Sequence, residues 1–438
     1  MGPPVSVLAP AADGPTAEAD PRPSGGLRIT SIDALRGLVV FAMIFVNDLA
    51  GVSPKIVPAW MRHFHGRSGM TFVDVVFPAF LFIAGMSIPF ALGGRLDRGE
   101  AVWKTMLHVL VRTGSLLLLG ILMVNESPDS SVMGWSGALW STLMFLSAIL
   151  AFSSIRSPAH GATPGHSPRY ASLVSLGLRG AGFVVLVYLA FAFRGEGGRR
   201  IITLSPFSLH TSWYGILGLI GWAYLIASLA FVLFRTQRTA LLGVIVLLFC
   251  LYAADRKGAF ENFWLARYVG LGEALGSLAA ITLAGALLAT ILLTPDTATH
   301  SARATFTLLF IAGCAAGAML LHRLYGISKN NATPPWCLWS CAISAALWLA
   351  FYFLADVRPE SRAARLARPF ALAGGNVLLA YLLSEMLPSL LEVLRLDDWY
   401  AGLAQSNLAG AITRSAACAV LLLAVTALLN RLGFRLKL

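Results

Sequence analysis

Two histidines, His63 and His65, stand in a short polar stretch between two long apolar runs. Imidazole is the side chain that exchanges a proton near neutral pH. Asp74 follows in Asp74-Val75-Val76-Phe77-Pro78, and Asn47-Asp48 closes the apolar run before. A histidine held by a carboxylate and an amide is suited to act as a general base or as a nucleophile. A histidine alone in a loop is an ordinary solvated residue, so the pattern carries the expectation. Pro78 has no N–H, so the carbonyl of Asp74 is expected to lose its usual helical partner. An ionisable side chain and a freed carbonyl then occur together at the edge of an apolar span, where an ionisable group marks a functional site by default. The plainer reading keeps Asp74 as a helix-start residue favoured by the helix dipole. Upstream, Thr30-Ser31-Ile32-Asp33 has the form of a capping box, and Asp33 and Arg36 can pair on one helix face.

The elements that must position these groups follow from composition. The chain has 438 residues, 57% hydrophobic and only 12% charged, with a mean hydropathy of +0.74. A soluble domain carries about a quarter charged residues. An ordinary soluble enzyme, a disordered protein and a nucleic-acid binder are therefore excluded. The expectation is an all-α, polytopic integral membrane bundle of about 10–12 helices, since bare backbone is not tolerated in lipid. Twelve runs are long enough, at about 33–50, 72–92, 103–124, 135–154, 172–193, 213–234, 239–254, 268–294, 304–322, 336–355, 369–393 and 408–430.

Residues 1–27, rich in Pro, Ala and Gly, read as a disordered cytoplasmic tail, and 28–438 as a single transmembrane domain. No signal-peptide pattern precedes the first run, which is then an uncleaved anchor. The net charge of +12 is explained by basic loops on the cytoplasmic side. The Lys/Arg excess is modest and strongest at Arg358, Arg362, Arg365 and Arg368; it puts both termini in the cytoplasm. The five cysteines give no disulfide framework and no metal spacing. Arg112, Glu273, Glu385 and Arg414 fall inside spans and need partners or a cavity. Trp103, Trp213 and Trp336 read as interfacial anchors, and Gly270-x-Gly272 and Gly374-Gly375 as sites of close helix packing.

The series Asp33-x-x-Arg36-Gly37, Val46-Asn47, a loop histidine, then Gly69-x-Thr71-x-x-Asp74-x-Val76-Phe77-Pro78-x-Phe80-x-Phe82-x-x-Gly85 resembles the heparan-α-glucosaminide N-acetyltransferase family, its bacterial members in particular. Ser328-Lys329-Asn330 is similar to an Asn-Lys-Asn element of that family, and Gly374-Gly375-Asn376 with Tyr381 to a Gly-x-Asn…Tyr element. The chain departs from the family at the histidine, which there stands ten residues before the Asp and precedes Trp-Asn-Gly. Here His63 and His65 lie on either side of that spacing, and Arg67-Ser68-Gly69 replaces the element. His63 is the better match because Trp60 and Arg62 precede it, as an aromatic and a basic residue precede the family histidine.

The resemblance implies a multi-pass acetyltransferase of the cell inner membrane. Its donor is cytoplasmic acetyl-CoA and its acceptor an amino sugar or glycan on the outer side, with no metal. It implies that His63 or His65 is catalytic, with Asp74 orienting the ring. Asn47, with Asn330 or Asn376, would donate to the thioester oxygen, and Lys329 and Arg36 would stand on the donor's path. The partners are then the bilayer and a small acceptor, and no nucleic acid; a homodimer is compatible with it. The rival within the enzyme class is an O-acyltransferase of a cell-envelope glycan, which carries its histidine at the end of the first helix, where this chain has Asn47-Asp48. From another class, a transporter or flippase predicts internal repeats, and none is visible.

Overall fold

The computed structural model describes residues 29–125, 128–155, 168–205, 207–358, 360–405 and 407–437. The N-terminal tail and His160 and His166 lie outside these residues. Eleven of the twelve apolar runs each form one helix. In chain order they are α1 Thr30–Ala50, α2 Val73–Asp97, α3 Val102–Val124, α4 Gly137–Ala151, α5 Pro168–Ala192, α6 Gly215–Phe234, α7 Arg238–Asp255, α8 Leu271–Leu292, α9 His300–Tyr325 and α10 Pro334–Val357. The eleventh run is broken by a 3-10 turn at Gly374–Asn376 into α11 Arg362–Ala373 and α12 Val377–Val393; α13 is Leu408–Arg431. Among the described residues, ten helices are long and apolar enough to cross a membrane. Among the described residues, four strands of three residues each make two small ribbons, β1 (Ser153–Ile155) with β4 (Phe434–Leu436) and β2 (Ile202–Leu204) with β3 (Phe207–Leu209).

Burial sorts the helices. α8 is 94% buried across its apolar window and packs against α2, α6, α7 and α10, so it is the central column. The same measure is 17% for α9, which faces outward. Lipid tails are as apolar as leucine, so helices in a membrane associate through close packing rather than through hydrophobicity. Glycine supplies that closeness. A Cβ on Gly85 would sit 1.8 Å from the carbonyl oxygen of Thr282, and one on Gly285 2.0 Å from that of Phe82. The backbones of α2 and α8 are thus in mutual contact. Gly85→Ala must force them apart, and the expected loss is about 1–3 kcal/mol. Thermal unfolding in detergent checks it; an unchanged midpoint would mean the helices yield freely.

α1 makes a similar contact. A Cβ on Gly37 would meet the Phe370 oxygen at 1.9 Å, and one on Gly374 the Asp33 oxygen at 2.2 Å. The eleventh run breaks at this crossing. The capping-box expectation is corrected. The residue before α1 is Ile29, with no side-chain cap; the Ser31 N–H instead donates to Asp356 Oδ2 of α10 at 3.3 Å. Asp33 is engaged sideways with Arg36, at 2.8 Å, and so is not turned back to cap its own helix.

Candidate active site

His63 lies in the loop between α1 and α2, and Asp74 in the first turn of α2. Helix start and loop are tied together. Asp74 Oδ2 accepts from the backbone N–H of Phe64 (3.1 Å) and of Thr71 (3.0 Å), and the Thr71 hydroxyl donates to the Arg62 carbonyl (2.7 Å). The other oxygen, Oδ1, takes His63 Nδ1 at 2.8 Å. Asp74 is 1% exposed and surrounded by donors. A carboxylate only accepts, so the shared hydrogen sits on Nδ1; in the neutral imidazole Nε2 is then the acceptor.

Lys329, in the loop between α9 and α10, brings its ammonium 3.1 Å from Nδ1 and 3.3 Å from Nε2 of His63. Near-equal distances to both nitrogens put it over the ring face rather than on one lone pair. The two loops are sewn together: Gly69 N–H donates to Ile327 O (3.0 Å) and Ile327 N–H to Ser68 Oγ (2.9 Å). Burial holds the Lys329 amine below the ordinary lysine value, against the opposing pull of the Asp74 charge.

The carbonyl freed by Pro78 has a partner from another helix. Trp336 Nε1 donates to Asp74 O at 3.2 Å. Trp336 is fully buried, so its reading as an interfacial anchor is corrected. An indole N–H needs an acceptor when buried, and this carbonyl is an unclaimed one. Trp103 and Trp213 are, by contrast, 65% and 53% exposed.

His63, Lys329 and Asn47 line one end of a cavity of about 650 Å³. Its wall follows α2 from Val73 to Ala91, about 27 Å at 1.5 Å per residue. The opposite end is cationic. Arg36, Arg95, Arg112 and Lys437 face it, with His108 among them. Arg36 is held by Asp33, by Ser87 Oγ (2.7 Å) and by the Gly374 carbonyl (3.4 Å). Arg95 pairs with Glu100 at 3.1 Å, and Arg112 stacks 4.8 Å over the Tyr224 ring. The β1–β4 ribbon closes this end, with Leu436 and Lys437 in the wall.

Other site expectations are corrected. His65 is exposed and outside the cavity wall, since the loop turns it away from the acid that His63 occupies. Asn330 is likewise exposed and outside the wall; its neighbour Lys329 points inward. Asn376 lines the far end, and its amide is occupied by the C-terminal strand: Nδ2 donates to Phe434 O (3.2 Å) and Oδ1 accepts from Leu436 N–H (3.3 Å). Asn376 and Asn47 therefore lie at opposite ends and cannot serve one oxyanion.

The charges inside spans find partners that spacing did not suggest. Arg414 of α13 pairs with Asp48 at 3.0 Å. Tyr400 and Ser415 also donate to Asp48, each at 2.6 Å. Burial and that bond to Asp48 push the Tyr400 phenol well above its ordinary value, so it stays a donor. Glu385 accepts from Asn47 Nδ2 at 2.9 Å. Glu273 faces a second cavity of about 280 Å³ with Asp255 and Arg256. Among the described residues, no group of three or more His, Cys, Asp or Glu is placed to hold a metal ion.

Fold and site together define a polytopic α-helical membrane protein in which a half-exposed histidine, held by a buried aspartate, opens into a long internal cavity. Residues 28–164 match the family model described as a domain of unknown function, DUF5009. The chain is 31% identical over 114 residues to heparan-α-glucosaminide N-acetyltransferase of Mus musculus, and 31% over 108 residues to that of Homo sapiens. The similar segments are 26% and 25% of this chain and 16% and 15% of those proteins. The chain thus spans about a sixth of the length of the curated relatives it matches. The resemblance read from the motifs is found over that quarter of the chain.

Proposed function

We propose that the protein is a membrane-embedded acetyltransferase that moves the acetyl group of cytoplasmic acetyl-CoA to the amino group of an amino sugar or glycan at the outer face. The observation that carries this reading is one continuous cavity with a hydrogen-bonded His63–Asp74 pair at one end and an arginine-lined wall at the other. A donor rich in phosphate suits the cationic end, and the reacting carbonyl can then reach His63.

The chemistry assigns roles. The acceptor nitrogen attacks the thioester carbon while His63 Nε2 takes its proton. Asp74 holds the ring and stabilises the imidazolium. Lys329 Nζ, beside the ring, stabilises the negative oxygen that forms. The C–S bond then breaks, and the imidazolium returns the proton to the departing sulfur. In a two-step variant, Nε2 itself carries the acetyl group before the amine takes it. The test is incubation of purified protein with labelled acetyl-CoA and glucosamine or a muropeptide. Label in an amide product supports the reading; hydrolysis alone, or no transfer to any amine, overturns it.

Lys329→Met is expected to lower the transfer rate about 10²-fold, as the loss of one oxyanion donor does. The effect of pH carries a sign. Lys329 loses its proton at a lower pH than an ordinary lysine, so the rate falls as pH rises through that lowered value. The fall begins below the usual lysine range and is absent from the pH–rate profile of Lys329→Met.

A further inference from the structure

We propose that Glu385 is a positioning residue that fixes which way the Asn47 amide faces, so that Asn47 offers its carbonyl oxygen to the acceptor. The proposal deepens the acetyltransferase reading and, for the chemistry it implies, rests on it.

The geometry begins with two contacts between α1 and the segment starting at Gly374. Arg36 reaches the Gly374 carbonyl, and Asn47 reaches Glu385, and both pairs are 338 residues apart in the chain. The two segments therefore run side by side in one register, which brings Glu385 to the level of Asn47. A carboxylate only accepts hydrogen bonds, so the atom of Asn47 that lies 2.9 Å from Glu385 Oε1 must be the nitrogen. An asparagine between neutral groups is free to turn over; this one is not.

Asn47 lines the cavity and Glu385 does not. The nitrogen is thus drawn toward α12, and Oδ1 is left as the acceptor facing the cavity, at the end that holds His63 and Lys329. Those two neighbours set the rest of the logic. Lys329 is a donor, suited to a carbonyl oxygen. His63 Nε2 takes a proton. An acceptor atom on Asn47 then holds a second hydrogen of the attacking group and aims its lone pair away from the amide. A primary amine has hydrogens for both acceptors; a nucleophile without N–H or O–H has none. The class selected is an amino sugar whose nitrogen carries free hydrogens.

Binding to the full-length protein in detergent tests this without relying on turnover. The probes are glucosamine and 2-deoxyglucose, which lacks the amino group. Wild type is expected to bind glucosamine about fivefold or more tightly, the value of one hydrogen bond. Glu385→Ala is expected to erase that preference and leave acetyl-CoA affinity unchanged, and Asn47→Ala to erase the preference. Glu385→Gln, whose carbonyl can still accept from Asn47, is expected to keep it. Should Glu385→Ala fail to fold, Glu385→Met fills the space without an acceptor and is read the same way. Preference surviving in Glu385→Ala or Glu385→Met, preference absent from wild type, or loss of acetyl-CoA affinity together with the preference would each overturn the proposal. Transfer of label is followed separately: an intact preference without any transfer supports the placement of Asn47 and sinks only the acetyltransferase reading.

Discussion

His63→Ala is expected to leave a folded, inserted protein that has lost nearly all transfer activity. The loss should be about 10²–10⁴-fold, the usual contribution of one general base. The ring is half-exposed toward the cavity rather than packed in the core, so its removal opens little void. It does strip one donor from Asp74, which retains the Phe64 and Thr71 N–H groups. Stability should therefore change much less than rate. The measurement is a paired one, with initial rates from labelled acetyl-CoA and a thermal midpoint in the same detergent. Full activity with a normal midpoint would remove His63 from the mechanism. His65→Ala is the matched control, because its ring is exposed and outside the cavity wall. It should keep most of the rate.

The largest stability effect is expected at the other polar residue closing α1. Asp48 and Arg414 are 10% and 8% exposed at their side chains, and Asp48 also accepts from Tyr400 and Ser415. Breaking one partner of a buried ion pair strands the other charge, at about 3–5 kcal/mol. Asp48→Ala should lose that much, and Asp48→Asn less, since an amide oxygen still accepts from Arg414. The guanidinium also donates from Nη2 to the backbone carbonyl of Asp48 (3.0 Å). The pair therefore fixes the end of α1 next to Asn47, and activity should fall with stability in Asp48→Ala. Unfolding monitored in detergent decides it; a loss below about 1 kcal/mol would show the charges to be solvated.

The candidate site was legible in part. His63, Asp74 and Thr71 are close in sequence, and a loop that returns on itself brings them together almost by its length. Pro78 announced a carbonyl in need of a donor, but nothing local named Trp336, 262 residues on. Lys329 stood out only through a family resemblance, and its place over the His63 ring depends on a loop 266 residues away. Glu385 and Arg414 were recognisable as charges that must find partners, without any sign of which.

Hydropathy alone determined where the apolar segments lie and that they are helical, because lipid imposes internal hydrogen bonding on every crossing segment; that ten of them are long enough to cross was read from the folded chain. Which helices lie side by side was decided only in three dimensions. In water an apolar stripe marks the face a helix buries. In lipid the buried and the exposed faces are both apolar, so that mark is erased. Direction then comes from glycine contacts such as Gly85 on Thr282, and from long-range polar bonds such as Asn47 to Glu385 and Asp48 to Arg414.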